Sequence, residues 1–180
     1  MAVTRERIAD SFETHLEQFG FRKTAVEDIA KDLRISKKTI YVHFDSKEEI
    51  YKYIIERRAE ENRRRIAAEL ADHSTCGSKI EGLIGIVFEF TRDWWRRNRD
   101  SESVQRYQVG EQAFLDAYTD LIREYVSEGI RNGEFTAKDD EVTVRFVSGI
   151  ILAGTRMLHE DTELEVEPHV TEAVNRLLTC

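Results

Sequence analysis

The chain has 180 residues, of which 41% are hydrophobic and 34% are charged, with one proline and nine glycines. This composition predicts a folded protein of long helices rather than a β-sandwich or barrel. No apolar run approaches the roughly 18 residues of a membrane span, and the N-terminus lacks the apolar core of a signal peptide. We therefore expect a cytoplasmic protein without a membrane partner. Cys76 and Cys180 lack zinc-ligand spacing, so we expect neither a disulfide nor a metal site.

The formal net charge of −8 argues against a protein covered with cations for nucleic-acid binding. The charge is, however, unevenly distributed along the chain. Residues 1–65 contain 15 Lys and Arg against 13 Asp and Glu, a net charge of +2, whereas residues 66–180 contain 12 against 22, a net charge of −10. The N-terminal part can therefore approach phosphate groups, which repel the remainder.

An amphipathic helix is predicted over residues 4–19, where apolar side chains recur on one face and Gly20 marks the end. Thr24 and Glu27 then fit a capping box for a short second helix. The apolar side chains of this helix lie on one side of about two turns. Its inner face is therefore expected to pack against the first helix.

A third helix is predicted almost at once, since Ser36 can cap a segment in which Ile40 and Phe44 lie four residues apart and face inward. The opposite side of this segment carries cations, hydroxyl groups and an aromatic ring. Two short helices joined by a turn of three or four residues, the second of which carries such groups, form a helix-turn-helix that can enter a DNA major groove.

The residues from Thr24 to Ala30 and the pattern S-x-x-T-I-Y-x-H-F-x-S-K-E-E from Ser36 to Glu49 resemble the TetR family of bacterial transcriptional regulators. In the turn, where the family usually has Gly, this chain has Arg34, and a residue other than Gly is strained at positive φ. The resemblance implies a homodimer formed through the last two helices and a small-molecule cavity among the central helices. It also implies that the ligand lifts repression by moving the helix that starts at Ser46.

The outward side chains of the helix-turn-helix are the expected contacts to double-stranded operator DNA. Those at the start of its second helix are placed to reach base edges, and those around them to hold phosphates. Lys47 has the additional help of a helix N-terminus, and Tyr41 has an alternative role as a core aromatic. The expected base contacts are Lys37, Lys38 and Thr39, and the expected phosphate contacts are Thr24, Tyr41, His43 and Lys47.

The remainder of the chain is predicted to be a helical bundle. A long helix runs from Ser46 to about His73, and residues 73–78 form a linker. Helical periodicity then recurs to the end of the chain; the segments are a short helix at 101–108 and longer ones at 79–98, 110–132, 139–160 and after Pro168. We predict an all-α protein of about nine helices, with a three-helix DNA-binding domain at residues 1–45 and an effector-binding and dimerisation domain at residues 46–180.

Aromatic side chains in the predicted bundle are more numerous than a tight core ordinarily needs. They either fill the core or line a pocket for a small molecule. A pocket with Arg92, Gln108 or Gln112 to orient the guest predicts an apolar effector that is aromatic or carries an acyl chain. The expected pocket residues are Phe88, Trp94, Trp95, Tyr107, Phe114, Tyr118 and Phe146.

The last two predicted helices form the expected dimer interface, because their apolar faces are wide and small residues permit close packing. The alternative is that the glycines relieve crowding within one subunit. The expected interface residues are Phe146, Gly149, Ile150, Ala153, Gly154, Met157, Val170, Val174 and Leu177.

Two other classes of function are open to a helical protein. A di-iron carboxylate enzyme needs Glu-x-x-His pairs on facing helices, but none of the five His residues has a Glu three positions earlier. No G-x-S-x-G motif occurs either, so we expect no catalytic residues and no cofactor. A helical interaction bundle that does not bind DNA is the remaining alternative. The sequence leaves open the effector, the operator, the target genes, and whether the protein represses or activates.

Overall fold

The structure is a computed structural model that describes residues 4–97, 101–137 and 139–179; the side chains of residues 97 and 101–111 are not among those described. Within these ranges the chain is helical and contains no strand, which confirms the predicted all-α class. The helices are α1 (Arg5–Lys23), α2 (Val26–Leu33), α3 (Lys37–His43), α4 (Lys47–Glu69), α5 (Cys76–Arg97), α6 (Ser101–Arg131), α7 (Asp140–Glu160) and α8 (Glu167–Thr179).

The described ranges contain eight helices rather than the predicted nine or so. The difference lies in α6, a single helix of 31 residues where the sequence predicts a short helix and a separate one from Gly110. A glycine costs a helix only about 1 kcal/mol relative to alanine, which a helix of this length tolerates. The α4 helix also ends at Glu69, before the expected His73.

The chain divides into two compact units, residues 1–58 and residues 59–180, and the division falls within α4. The first unit comprises α1, α2, α3 and the start of α4 around one apolar core. Ile40 and Phe44, which the sequence predicts to face inward, are both buried in this core. Their burial holds α3 with its other side outward.

Local hydrogen bonds set the helix ends of the first unit. Ser36 caps α3 by accepting from the backbone N–H of Thr39, as predicted. The predicted capping box of Thr24 and Glu27 is wrong, because the residue after Thr24 holds the N-cap position of α2 and makes no side-chain cap. The Thr24 hydroxyl instead donates to the Gly20 carbonyl at 2.9 Å, so it closes the end of α1.

The second unit packs the remainder of α4 together with α5, α6, α7 and α8 around a second core. Within it, α7 contacts α5, α6 and α8. Pro168 lies in the first turn of α8, where its missing N–H is not needed. No helix of the described ranges combines the length and the apolar character needed to cross a bilayer.

Candidate nucleic-acid interface

The turn between α2 and α3 has Arg34 in the left-handed conformation, with φ 55° and ψ 45°. No other residue except glycine has a positive φ in the described part of the chain. The Arg34 N–H donates to the Lys31 carbonyl at 3.0 Å, and the Ile35 N–H donates to the Ala30 carbonyl at 2.9 Å. This pair of bonds closes α2 in a Schellman motif. The chain therefore makes a left-handed turn into α3 although it lacks a glycine there.

Lys37, at the start of α3, is paired within the protein. Its Nζ donates to Oε1 of Glu27 on α2, and both side chains are about half exposed. The hydrogen bond from Lys37 lowers the pKa of Glu27 below its ordinary value, and the hydrogen bond to Glu27 raises the pKa of Lys37. A carboxylate therefore competes with any DNA for the Lys37 ammonium.

The other two predicted base contacts differ from Lys37 and from each other. Thr39 is partly buried, and its hydroxyl shares a hydrogen bond of 2.9 Å with the Ser36 hydroxyl. Lys38 is exposed, and neither a hydrogen bond nor an ion pair to it is found within the described ranges. Lys38 thus offers donors that no described group of the protein already occupies.

Two of the predicted phosphate contacts are engaged inside the first unit. Thr24 is buried, and its hydroxyl is bound to the Gly20 carbonyl. The Lys47 ammonium donates to the Phe21 carbonyl and lies 4.3 Å from the centroid of the Phe21 ring. The Thr24 hydroxyl has to leave the Gly20 carbonyl before it can donate to a phosphate, whereas the Lys47 ammonium uses one of its three donors on the Phe21 carbonyl.

Tyr41 and Val42 place apolar surface on the outer side of α3. Tyr41 is 48% exposed, which does not fit its alternative role as a core aromatic, and His43 is partly buried. Val42 is 74% exposed, more than any other large apolar residue of the described ranges. Sequence reasoning missed Val42 because it searched this helix for donors. The signal that could have found it is an apolar residue outside the inward pattern of Ile40 and Phe44.

Two of the three predicted pocket aromatics of α5, Trp94 and Trp95, are in contact. Phe88 is fully buried in the core of the second unit. The rings of Trp94 and Trp95 meet edge to face with centroids 4.8 Å apart. The buried Trp95 ring also lies 4.1 Å from the ring of His159 on α7. This end of α5 therefore joins α7 through stacked rings.

A second aromatic group involves α6. The Phe114 ring lies between those of Phe90 and Tyr118, with centroid distances of 5.9 and 6.0 Å. The Tyr118 hydroxyl accepts a hydrogen bond from Nδ2 of Asn62 on α4 at 3.1 Å. Aromatic surface from α5 and α6 is thus brought together beside α4.

The polar groups expected to orient a guest have partners of their own. The Arg92 guanidinium donates to two carbonyls of the loop before α8, at 3.0 and 3.2 Å. The Gln112 amide donates to Asp116 at 2.7 Å. Tyr107 and Gln108 lie outside the residues whose side chains are described. The full pocket therefore stays a prediction.

Several of the predicted interface residues lie inside the second unit. Gly154, Val170 and Val174 are buried. A Cβ atom at Gly154 would lie 2.6 Å from the Phe88 ring and 2.7 Å from Val170, so this glycine permits close packing within the subunit. These three residues therefore pack within the subunit and do not contribute to its exposed surface.

The exposed side of α7 carries the other predicted interface residues. Phe146 is 58% exposed, so it lies at this surface and not among the other pocket candidates. A Cβ atom at Gly149 would meet no atom within 4 Å, while Ile150 and Leu177 are partly buried. Exposed small and apolar residues recur here at intervals of three or four. We call them the α7 stripe: Val142, Phe146, Gly149, Ala153 and Met157.

A sequence model of a known family, bacterial regulatory proteins of the tetR family, matches residues 14–54. The chain is also 36% identical over 52 residues to the negative transcriptional regulator IcaR of the biofilm operon icaADBC from Staphylococcus epidermidis. That alignment covers 29% of this chain and 28% of IcaR. The family model thus matches residues of the first unit, and the alignment with IcaR spans little more than a quarter of that relative's length.

Solved structures resemble nearly the whole chain. The transcriptional regulator FadR from Bacillus subtilis, in complex with stearoyl-CoA, has a TM-score of 0.61 and 17% identity, with 97% of this chain and 98% of that chain covered. RolR, in complex with resorcinol, has a TM-score of 0.65 and 17% identity over 97% of this chain and 86% of that chain. At this level of identity the likeness shows the fold alone.

The evidence for a family comes from three separate features. The turn at Arg34 and the buried anchors of α3 form a helix-turn-helix. The family model matches the residues that build it, and the all-helical fold continues to agree with that of FadR beyond the matched segment. Residues 14–54 thus match the tetR family of bacterial regulatory proteins, and the helical fold of nearly the whole chain is similar to those of FadR and RolR.

Proposed function

We propose that the chain is a transcriptional repressor that binds operator DNA as a homodimer and is released from it by a small apolar molecule. The observation that carries the proposal is the outer side of α3, where Lys37, Lys38 and Tyr41 are exposed while Ile40 and Phe44 hold the other side in the core. A short helix held in this way after a tight turn is the element that enters the major groove.

Repression as the direction of control is supported by IcaR, a negative transcriptional regulator that is 36% identical to this chain over 52 residues. The family consists of regulators and not of enzymes, which confirms the prediction of a non-enzymatic protein. A regulator of bacterial genes meets its operator in the cytoplasm, and we propose that location for this chain.

In this proposal the two parts of the chain have different functions. Residues 1–45 bind the operator, and residues 46–180 hold the effector and dimerise. The net charge of +2 for residues 1–65 and −10 for residues 66–180 supports that division, because DNA repels the acidic part. Lys37, Lys38 and Thr39 face the bases, and Thr24, Tyr41, His43 and Lys47 are the candidates for phosphate contacts.

The effector that we propose is an aromatic or acyl-chain compound. The aromatic groups of α5 and α6 support this chemistry, since apolar pockets with a few polar groups bind guests of that kind. FadR and RolR, which share the fold, are in complex with stearoyl-CoA and resorcinol, an acyl thioester and a phenol.

The homodimer that we propose uses the α7 stripe. Its residues are exposed, apolar or small, and recur at the spacing of a helix face. A two-fold pair presents two copies of α3 about 34 Å apart, which matches successive turns of the major groove. The operator is therefore expected to be a near-palindrome.

Operator binding is tested by fluorescence anisotropy with the purified chain. The DNA upstream of its own gene, and duplexes selected from a random library, are compared with scrambled duplexes at physiological salt. We expect the operator to bind at least about 1,000-fold more tightly than its scrambled form. A Lys38→Glu variant should lose this preference while its thermal unfolding is unchanged. Equal affinity for all duplexes contradicts specific operator binding, and the absence of binding to any duplex favours a helical interaction bundle that does not bind DNA.

Release by the effector is tested by titrating acyl thioesters and phenols while following the fluorescence of Trp94 and Trp95. A ligand that weakens operator binding about 100-fold needs a coupling free energy of about 2.7 kcal/mol. Operator DNA must then weaken ligand binding by the same factor. Equal ligand affinity in the presence and absence of operator would refute the switch but not the DNA binding.

A further inference from the structure

Val42 lies at the outer side of α3 without a role in packing. It is 74% exposed, and the inward positions of this helix are filled by Ile40 and Phe44. Valine is also a weaker helix former than alanine, so helix propensity does not favour it here. Single exposed apolar residues are common on proteins. The neighbours of Val42 on α3 are therefore what must give it a function.

Lys38 lies one helical turn before Val42, so the two side chains are on the same face with Cβ atoms about 5–6 Å apart. Two of the three predicted base contacts have partners within the protein: Lys37 pairs with the Glu27 carboxylate of α2, and the Thr39 hydroxyl is hydrogen-bonded to the hydroxyl of Ser36, the N-cap of α3. Lys38 has no such partner among the described residues. On the side of α3 opposite Ile40, Lys38 and Val42 therefore offer one cation and one apolar side chain, with the exposed Tyr41 beside them.

The major groove presents one matching partner for each of these two groups. The C5 methyl of thymine is the apolar group at the base edges, and guanine presents O6 and N7 as acceptors for a lysine. We infer that Val42 contacts a thymine methyl group and that Lys38 donates to a guanine in each half of the operator. This inference rests on the proposed function and names the bases that the recognition helix selects.

The geometry of α3 also limits the distance between the two bases. Successive bases rise about 3.4 Å along one strand, and the two Cβ atoms are about 5–6 Å apart. The guanine and the thymine should therefore lie within about two base steps of each other. A protein partner for Val42 is the competing occupant, but the cation one turn away and the +2 charge of residues 1–65 favour DNA.

The test uses deoxyuridine, which pairs like thymine but lacks the C5 methyl group. Each thymine of the selected half-site is replaced in turn, in both halves, and Kd is measured for the wild-type chain and for Val42→Ala. For the wild-type chain we expect one position to cost about fourfold per half-site, the effect of removing one buried methyl group. Val42→Ala should bind the unmodified operator more weakly than the wild-type chain does, by the same factor. Its Kd should not change further when deoxyuridine replaces thymine at that one position.

The contact to guanine is tested with 7-deazaguanine, which lacks the N7 acceptor. It replaces each guanine of the half-site in turn, and Kd is measured for the wild-type chain and for Lys38→Ala. One guanine within about two base steps of the sensitive thymine should matter to the wild-type chain and not to Lys38→Ala. Thermal unfolding of both variants should match the wild type, because both side chains are exposed.

The outcomes separate this inference from the proposed function. If Val42→Ala keeps full operator affinity, or remains as sensitive to deoxyuridine as the wild type, Val42 does not contact a thymine methyl. If the wild-type chain selects no operator at all, the proposed function fails and the inference with it. A sensitive thymine that lies far from every sensitive guanine refutes the pairing of Lys38 with Val42.

Discussion

The ammonium of Lys37 and the carboxylate of Glu27 form an ion pair that joins α3 to α2 across the turn. Glu27 belongs to the first turn of α2, so its carboxylate lies beside the face that we propose to meet DNA. It holds Lys37 in place, and it also adds a negative charge where phosphates approach. The pair thus fixes α3 to α2, and its carboxylate is expected to weaken DNA binding.

The first prediction is that Glu27→Gln strengthens DNA binding. The substitution releases the Lys37 ammonium and removes a charge that repels phosphate, so we expect affinity to rise about threefold for operator and scrambled duplexes alike. If Lys37 then reaches a phosphate, the slope of log Kd against log salt should steepen by about one. Anisotropy titrations at four or more salt concentrations measure both quantities.

Asp28→Asn is the matched control for Glu27→Gln. Asp28 is the next residue of α2, is partly exposed, and pairs with Lys31 at 3.3 Å rather than with α3. The two substitutions change net charge equally. A similar gain in DNA affinity for both variants would show that only net charge matters. The Glu27–Lys37 pair would then have no effect of its own on DNA binding.

The second prediction concerns the left-handed residue Arg34. This conformation costs a residue with a Cβ atom roughly 1–2 kcal/mol, whereas glycine adopts it freely but loses about 0.5–1 kcal/mol more in entropy on folding. Arg34→Gly should therefore raise the free energy of unfolding by about 0.5–1 kcal/mol. Arg34→Ala, which keeps the Cβ atom, should give no gain. Urea denaturation compares the three proteins, and equal stability of the Gly and Ala variants would rule out strain at this turn.

Much of the first unit could be predicted because its signals are local. The four-residue spacing of Ile40 and Phe44 predicts which side of α3 is buried, and Ser36 predicts where α3 begins; the structure has both. Glu27 shows the limit. The pattern T-x-x-E is a local signal for a capping box, but the carboxylate pairs with Lys37, ten residues later. That partner depends on the direction of the turn, which spacing does not encode.

The second unit was harder to predict because its contacts are between helices far apart in sequence. Gly149 and Gly154 look alike in the sequence, yet one is exposed and the other packs against Phe88 and Val170. They are five positions apart, which turns them about 140° from each other around the helix. The periodic pattern tells which faces are apolar. It does not tell which apolar face meets the core of its own subunit.

The third prediction is about the start of α5, which is capped by a residue far away in the chain. The Glu134 carboxylate accepts hydrogen bonds from the backbone N–H groups of Cys76 at 2.8 Å and Gly77 at 2.6 Å. Burial raises the pKa of Glu134, but these hydrogen bonds outweigh burial and hold the pKa below its ordinary value of 4.5. Glu134→Gln should lower the free energy of unfolding at neutral pH by about 1–2 kcal/mol.

The same carboxylate gives a pH dependence with a definite sign. Because the pKa of Glu134 is lower in the folded chain than in the unfolded chain, its contribution is present above about pH 4.5 and is lost as the pH falls through the folded pKa. The stability difference between the wild type and Glu134→Gln should therefore shrink below pH 4.5. Glu128→Gln, whose carboxylate lies 3.6 Å from the Lys79 ammonium, is the control and should cost less. A difference that stays constant with pH would show that the charge of Glu134 is not what stabilises α5.

The last prediction is that Gly149→Arg turns the proposed dimer into a monomer without unfolding the subunit. Gly149 lies in the middle of the α7 stripe, is exposed, and has no atom within 4 Å of the position of a Cβ. An arginine there fits the isolated subunit, so thermal unfolding of the monomer itself should change little. In a helix-to-helix interface the same side chain inserts bulk and charge where two backbones need to approach closely.

Sedimentation should then show a species of 21.0 kDa for Gly149→Arg and twice that mass for the wild type. Operator affinity should fall by about 100-fold or more, because a monomer places one α3 helix, and not two, in the major groove. Ala68→Arg is the matched control: Ala68 is also a small exposed helical residue, but it belongs to α4, so dimer and operator binding should persist. Gly154→Arg is the opposite case, since it collides with Phe88 and should unfold the second unit. A Gly149→Arg protein that remains a dimer and still binds the operator would show that the subunits associate through a surface other than the α7 stripe.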